Sequence, residues 1–212
     1  MLEWPEYLKI FVAVLVIVDP FAVLPLFVIL TANASKAERE RTAHTASIAV
    51  AIVLTLATLF GASLLAFFGI SIASFKVGGA ILILLMAVAM MEVKPVRAKQ
   101  TPEEAVEAEE KESIAVVPLA IPLLAGPGAI STTIIYATAA PGAAHRTVIV
   151  GACLLVAGIT WITLRLGTPL VKLLGTTGMN IAIRLMGLLL AAVAVEIFAS
   201  GIVTLLPGLG AR

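Results

Sequence analysis

Charge is what this chain has least of. Only 13% of its 212 residues are Asp, Glu, Lys or Arg, against 61% hydrophobic, and mean hydropathy is +1.13. A soluble domain carries about 25% charged residues and about 45–50% apolar ones. Too little polar surface exists here to clothe a globule in water, and the apolar content equally excludes a disordered chain. The net charge of +1 leaves no basic field for nucleic acid. A single cysteine, Cys153, excludes an internal disulfide framework and a Cys-only zinc site. The two histidines, His44 and His145, have no partner at ligand spacing, so no metal is expected. Hydrolase, zinc-protease and phosphate-loop signatures are missing, and no cofactor is implied.

What the chain does have is long apolar runs. Of its 27 charged residues, 16 lie in two clusters, Lys36 to Arg41 and Glu92 to Glu112. Residues 42–75 and 113–145 carry no formal charge. About 20 apolar helical residues cross a bilayer core. The runs predict six spans, at 8–30, 44–68, 73–92, 114–139, 147–168 and 180–204. The alternating segments of a membrane barrel do not occur. The expected fold is all-α, a polytopic membrane protein embedded in the lipid bilayer. Ala32-Asn33-Ala34 has the look of a cleavage site, but the acidic start (Glu3, Glu6) and internal prolines favour a retained helix. Lys and Arg near the span ends place loops 31–43, 93–113 and 169–179 on the cytoplasmic side of a cell membrane, with the N- and C-termini outside.

The chain reads as two halves. Residues 1–93 and 113–212 each hold three spans, joined by a charged cytoplasmic linker, 94–112. Asp19-Pro20 aligns with Gly126-Pro127 at an offset of 107, and Arg41-Thr42 with Arg146-Thr147 at 105. Gly61 and Gly69 meet Gly167 and Gly175 at 106; Lys76 and Gly79 meet Arg184 and Gly187 at 108. Three spans per half is an odd number, so the second half enters the membrane in the opposite sense. Such inverted-topology repeats are common in secondary transporters.

Helices one and four carry helix-disrupting residues at matching places. Asp19-Pro20 and Pro25 interrupt the first; Pro118, Pro122, Gly126, Pro127 and Gly128 interrupt the fourth. Lipid cannot satisfy freed backbone groups, so such segments belong inside protein or beside a polar cavity, and in transporters they mark the binding site. The half-helix after Pro127 offers free N–H groups at Gly128, Ala129 and Ile130, suited to a carboxylate. Hydroxyls of Ser131, Thr132 and Thr133 add contacts. Asp19, the only aspartate in the chain, suits an ammonium group, a sodium ion or a proton, or serves as the cap of a kinked helix. The expected partner is a small zwitterionic substrate held by Asp19, Pro20, Ala22, Pro25, Pro122 and the 126–132 segment. Glu196, inside the apolar run 185–205, is a candidate for proton coupling or for an ion pair. Lys76 and Arg184, at matching positions, snorkel to the interface or balance Asp19 and Glu196.

The stretch Asp19 to Phe27 (DPFAVLPLF) resembles the N-terminal motif of the MarC family of integral membrane proteins. Pro118 to Ser131 (PLAIPLLAGPGAIS) is similar to that family's most distinctive segment, and Val77 to Leu82 and Arg184 to Leu190 resemble its third and sixth helices. Ala22 departs from the glycine usual there. The resemblance implies six spans and, for some members, transport of small neutral amino acids such as alanine or glycine. The expectation is therefore a secondary transporter, not an enzyme, working by alternating access and driven by a proton or a sodium gradient. A membrane-embedded enzyme acting on lipid or peptide, with Asp19 and Glu196 converging, and a non-transporting structural component stand beside it. Oligomeric state leaves no mark on the sequence.

Overall fold

The computed structural model describes residues 2–92 and 124–209; the linker 94–112, Pro118 and Pro122 lie outside them. Every regular element described is helical. In chain order these are α1 (Trp4–Val18), α2 (Pro20–Leu30), α3 (Lys36–Phe67), α4 (Ile72–Met91), α5 (Pro127–Ala137), α6 (Ala143–Arg165) and α7 (Gly167–Leu205). Five stretches among the described residues are long and apolar enough to cross a membrane, α1 and α2 counting together as one. Side chains such as Phe60, Leu85, Leu155 and Leu188 are exposed, as a surface solvated by lipid tails requires.

Local chemistry sets the boundaries. Ser35 and Glu38 form a reciprocal capping box at the start of α3: Ser35 N–H donates to Glu38 Oε2 (2.7 Å), and Glu38 N–H to Ser35 Oγ (3.2 Å). That cap starts the helix eight residues before the apolar span, within a charged segment. Ser71 Oγ caps α4 by accepting from Ser74 N–H (3.0 Å). Between α3 and α4 the chain turns through Gly69, at φ +69°. In α7 the one non-helical residue is Gly175, at φ +61°.

Two expectations are corrected here. Pro25 does not interrupt its helix. It lies inside α2, and the chain breaks only at Asp19. A proline at the sixth position of a fresh helix forgoes one backbone bond, while the remaining turns are held by packing of Val23, Leu24 and Phe27. The segment 169–179, expected as a loop, is helical apart from Gly175.

Packing depends on small residues. α4 and α7 form the most extensive pair, and α3 with α6 the next. A Cβ at Gly187 would lie 3.1 Å from the Ala87 carbonyl oxygen, and one at Gly201 3.1 Å from that of Ala73, so the α4 and α7 backbones approach closely. Gly61 of α3 has no room for a Cβ against Ile134, and Gly167 has little against Leu24 and Phe27. α5 packs on α3 and α4, whereas α1 and α2 pack on α6 and α7.

Candidate functional site

The chain turns at Asp19, whose φ of 38° and ψ of 71° are left-handed. Among the described residues it is the only non-glycine with positive φ. Such a backbone costs roughly 1–2 kcal/mol, and Asp tolerates it because its short side chain bonds locally. Asp19 N–H closes α1 on the Leu15 carbonyl (3.0 Å), and Asp19 Oδ1 accepts from Ala22 N–H (3.2 Å) to open α2. Pro20, first in α2, has no N–H to leave unpaired. One residue therefore ends one helix and begins the next.

Capping uses only one carboxylate oxygen. Asp19 is 5% exposed, and its Oδ2 has no hydrogen-bond partner among the described residues. Asp19 and Ala22 line a cavity of about 160 Å³, otherwise walled by apolar side chains including Ile17, Leu26, Met86 and Met90. A cavity of roughly 150 Å³ takes a molecule of about six heavy atoms, the size of benzene.

None of residues 126–132 lines this cavity, but the start of α5 packs against two of its wall residues. A Cβ at Gly128 would lie 3.1 Å from Met86 Sδ and 3.6 Å from Ile17, both cavity residues. Gly126 precedes the helix in an extended conformation (φ −71°, ψ 178°), and Pro127 follows without an N–H. Ile130 N–H donates to the Gly126 carbonyl (3.1 Å), which corrects the expectation that it stands free. The N–H groups of Gly128 and Ala129, in the first turn, have no acceptor within the helix. Ser131 faces α4, 2.9 Å from where a Gly79 Cβ would stand. Thr132 is fully buried, with Oγ1 unpaired among the described residues. Thr133 Oγ1 donates back to the Ala129 carbonyl (2.7 Å), so its hydroxyl is engaged inside α5.

The charged candidates stand apart from the cavity. Lys76 Nζ donates to Ser200 Oγ (3.0 Å), tying α4 to α7. Arg184 is exposed beside Met91 and Leu188. Glu196 is exposed on a separate groove with Lys9 and Tyr136. Asp19 and Glu196 thus line different cavities. Among the described residues no three His, Cys, Asp or Glu side chains converge as metal ligands.

Sequence reasoning passed over two polar ties at opposite ends of the first span. At one end Arg39 donates to Thr168 Oγ1 (2.6 Å) and to the Thr31 carbonyl (2.9 Å). At the other, fully buried His145 bonds the Tyr136 carbonyl through Nε2 (2.8 Å) and the Tyr7 hydroxyl through Nδ1 (3.0 Å). A carbonyl only accepts, so Nε2 carries a proton and donates to Tyr136. The available signal was the 106-residue offset seen at other positions, since 39 plus 106 is 145.

A model described as MarC family integral membrane protein matches residues 4–206. A UPF0056 membrane protein of Escherichia coli (strain K12) is 39% identical over 98% of this chain and 96% of its own. Another, from Buchnera aphidicola of Acyrthosiphon pisum, is 37% identical over 96% of this chain and 94% of its own. One from the archaeon Methanocaldococcus jannaschii is 36% identical over 94% and 87% respectively. No solved structure matches the chain.

Proposed function

The chain belongs to the MarC family of integral membrane proteins, and from that premise we propose that it is a secondary transporter of small neutral amino acids. The observation that carries this reading is the buried Asp19 carboxylate oxygen without a partner on the wall of a small cavity. An unpaired buried carboxylate is costly unless a cation neutralises it. A substrate ammonium does so, while the first-turn N–H groups of α5 receive the substrate carboxylate. Alanine has six heavy atoms, and apolar Met86 and Met90 suit a methyl group better than a polar side chain.

Alternating access needs two halves that rock against each other. Several pairings support reading the halves as an inverted repeat. Gly61 packs on Ile134, and Gly167 packs on Phe27. Subtracting 106 from 167 and 107 from 134 gives 61 and 27, so the two contacts exchange under the repeat. Gly69 and Gly175 share a positive φ. The stretch 143–174, less 106, becomes 37–68, nearly the extent of α3.

Counterflow of labelled alanine or glycine into liposomes holding the purified protein tests the proposal. Uptake above empty liposomes is expected, with a proton or a sodium gradient raising it. No uptake of either amino acid under any gradient would sink it.

A further inference from the structure

A second cavity, of about 610 Å³, opens between α1 and α7, separate from the Asp19 site. Its charged end holds Glu6, Lys9 and Glu196 beside Tyr136; its deeper wall is apolar, with Val16 and Leu189 on opposite sides. The two helices run antiparallel. Val16 lies seven residues beyond Lys9, and Leu189 seven residues before Glu196, about 10 Å along each helix at 1.5 Å per residue. Charge therefore sits at one level of the groove and hydrocarbon surface at the next level inward.

Lys9 Nζ pairs with Glu6 Oε1 at 2.8 Å, and both side chains are substantially exposed. Glu196, within electrostatic range of Lys9 and Tyr136, has no hydrogen bond or ion pair among the described residues. A carboxylate on a membrane-spanning helix is expensive without a polar partner. The groove thus presents two acids and one base, an excess of one negative charge, above an apolar slot.

We infer that this groove holds a phospholipid with a primary-amine headgroup. The headgroup ammonium donates to Glu196, the phosphate meets Lys9, and an acyl chain lies along Val16 and Leu189. Anionic lipid is disfavoured by the surplus carboxylate. A choline headgroup carries the positive charge but has no N–H to donate.

Native mass spectrometry of the delipidated full chain tests this, after exposure to equal amounts of phosphatidylethanolamine, phosphatidylcholine and phosphatidylglycerol. The wild type should retain the ethanolamine lipid above the other two. Glu196→Gln should lower the ethanolamine-to-glycerol ratio about fivefold, the effect of one charge near a membrane surface. Lys9→Gln, at an exposed position, should lower ethanolamine-lipid retention by a similar factor. Equal retention of all three lipids by the wild type overturns the inference, as does an unchanged ratio in Glu196→Gln. A lipid-free dimer mass that Glu196→Gln dissociates also overturns it, giving the groove to a second copy of the chain. The readout is independent of transport, so it stands or falls apart from the proposed activity.

Discussion

The two helix starts, Asp19 before α2 and Gly126 before α5, 107 residues apart, use opposite chemistry. Asp19 is left-handed, carries the chain's only aspartate and keeps one oxygen unpaired. Gly126 is extended, has no side chain, and is followed by first-turn N–H groups. The first start offers negative charge, the second positive backbone dipoles. On the proposed reading, opposite chemistry at the two starts is what a zwitterion needs. Neither start alone offers partners to both a cationic and an anionic group.

Converting Asp19 breaks this contrast most directly. Asn caps helices and accepts left-handed backbone as well as Asp does. Asp19→Asn should therefore keep the fold and thermal midpoint while transport of alanine falls on the order of a hundredfold, the cost of truncating a buried charge partner. Undiminished transport would leave Asp19 as a cap alone. On the other side, Gly128→Val adds side chain against Met86, Ile83 and Ile17. Overpacking of this kind costs about 1–3 kcal/mol. Transport should fall about tenfold with a lowered thermal midpoint, and a variant indistinguishable from wild type would detach α5 from the site.

A similar contrast holds between the two polar ties. Arg39 joins α3 to α2 and α7 through a charged, forked side chain that is partly exposed; His145 joins α6 to α5 and α1 through a fully buried ring. Removing a buried hydrogen-bonding side chain strands its partners at a cost of about 1–3 kcal/mol. His145→Ala empties a fully buried site and strands the hydroxyl of buried Tyr7 and the carbonyl of half-buried Tyr136. Arg39→Ala frees the Thr31 carbonyl and the half-buried Thr168 hydroxyl beside a side chain that already meets solvent. Thermal unfolding in detergent should show the larger drop for His145→Ala, and the reverse order would assign the stronger tie to the Arg39 end.

How much of this was legible beforehand follows from the kind of signal each feature leaves. Span positions depend on apolar content, which the chain displays openly, so α3, α4, α6 and α7 lie where the apolar runs lie. The Asp19-Pro20 break was legible because proline and a lone buried acid are each conspicuous. Pro25 misled, because a proline's effect depends on its distance from a helix start, and that start was itself unknown. The cavity walls at Met86 and Met90 left no trace, since cavity-lining methionines on an apolar helix read like any others. His145 was dismissed for lacking metal-ligand neighbours. Its partners are a hydroxyl 138 residues away and a backbone carbonyl, which spacing along the chain does not encode.

The smallest expected effect tests the equivalence of the halves most cleanly. Gly69 and Gly175 both have positive φ, and a Cβ at either would find nothing within 4 Å. Alanine at these positions therefore meets no neighbour, and its penalty is the backbone's alone, roughly 1–3 kcal/mol for a sparsely populated conformation such as Gly175's φ +61°, ψ −178°. If the two glycines are the same turn in two copies, Gly69→Ala and Gly175→Ala should lower the thermal midpoint by nearly equal amounts. The double variant should show their sum, because distant sites with no shared partners add. Gly175 interrupts a run that is helical on both sides, whereas Gly69 lies in the loop between α3 and α4. If the second half has instead become one continuous helix with an incidental kink, Gly175→Ala straightens it and costs little or stabilises, since alanine is the better helix former by about 1 kcal/mol. Opposite signs for the two substitutions would thus break the equivalence, and equal losses would extend it to a position where no packing contact enforces the likeness.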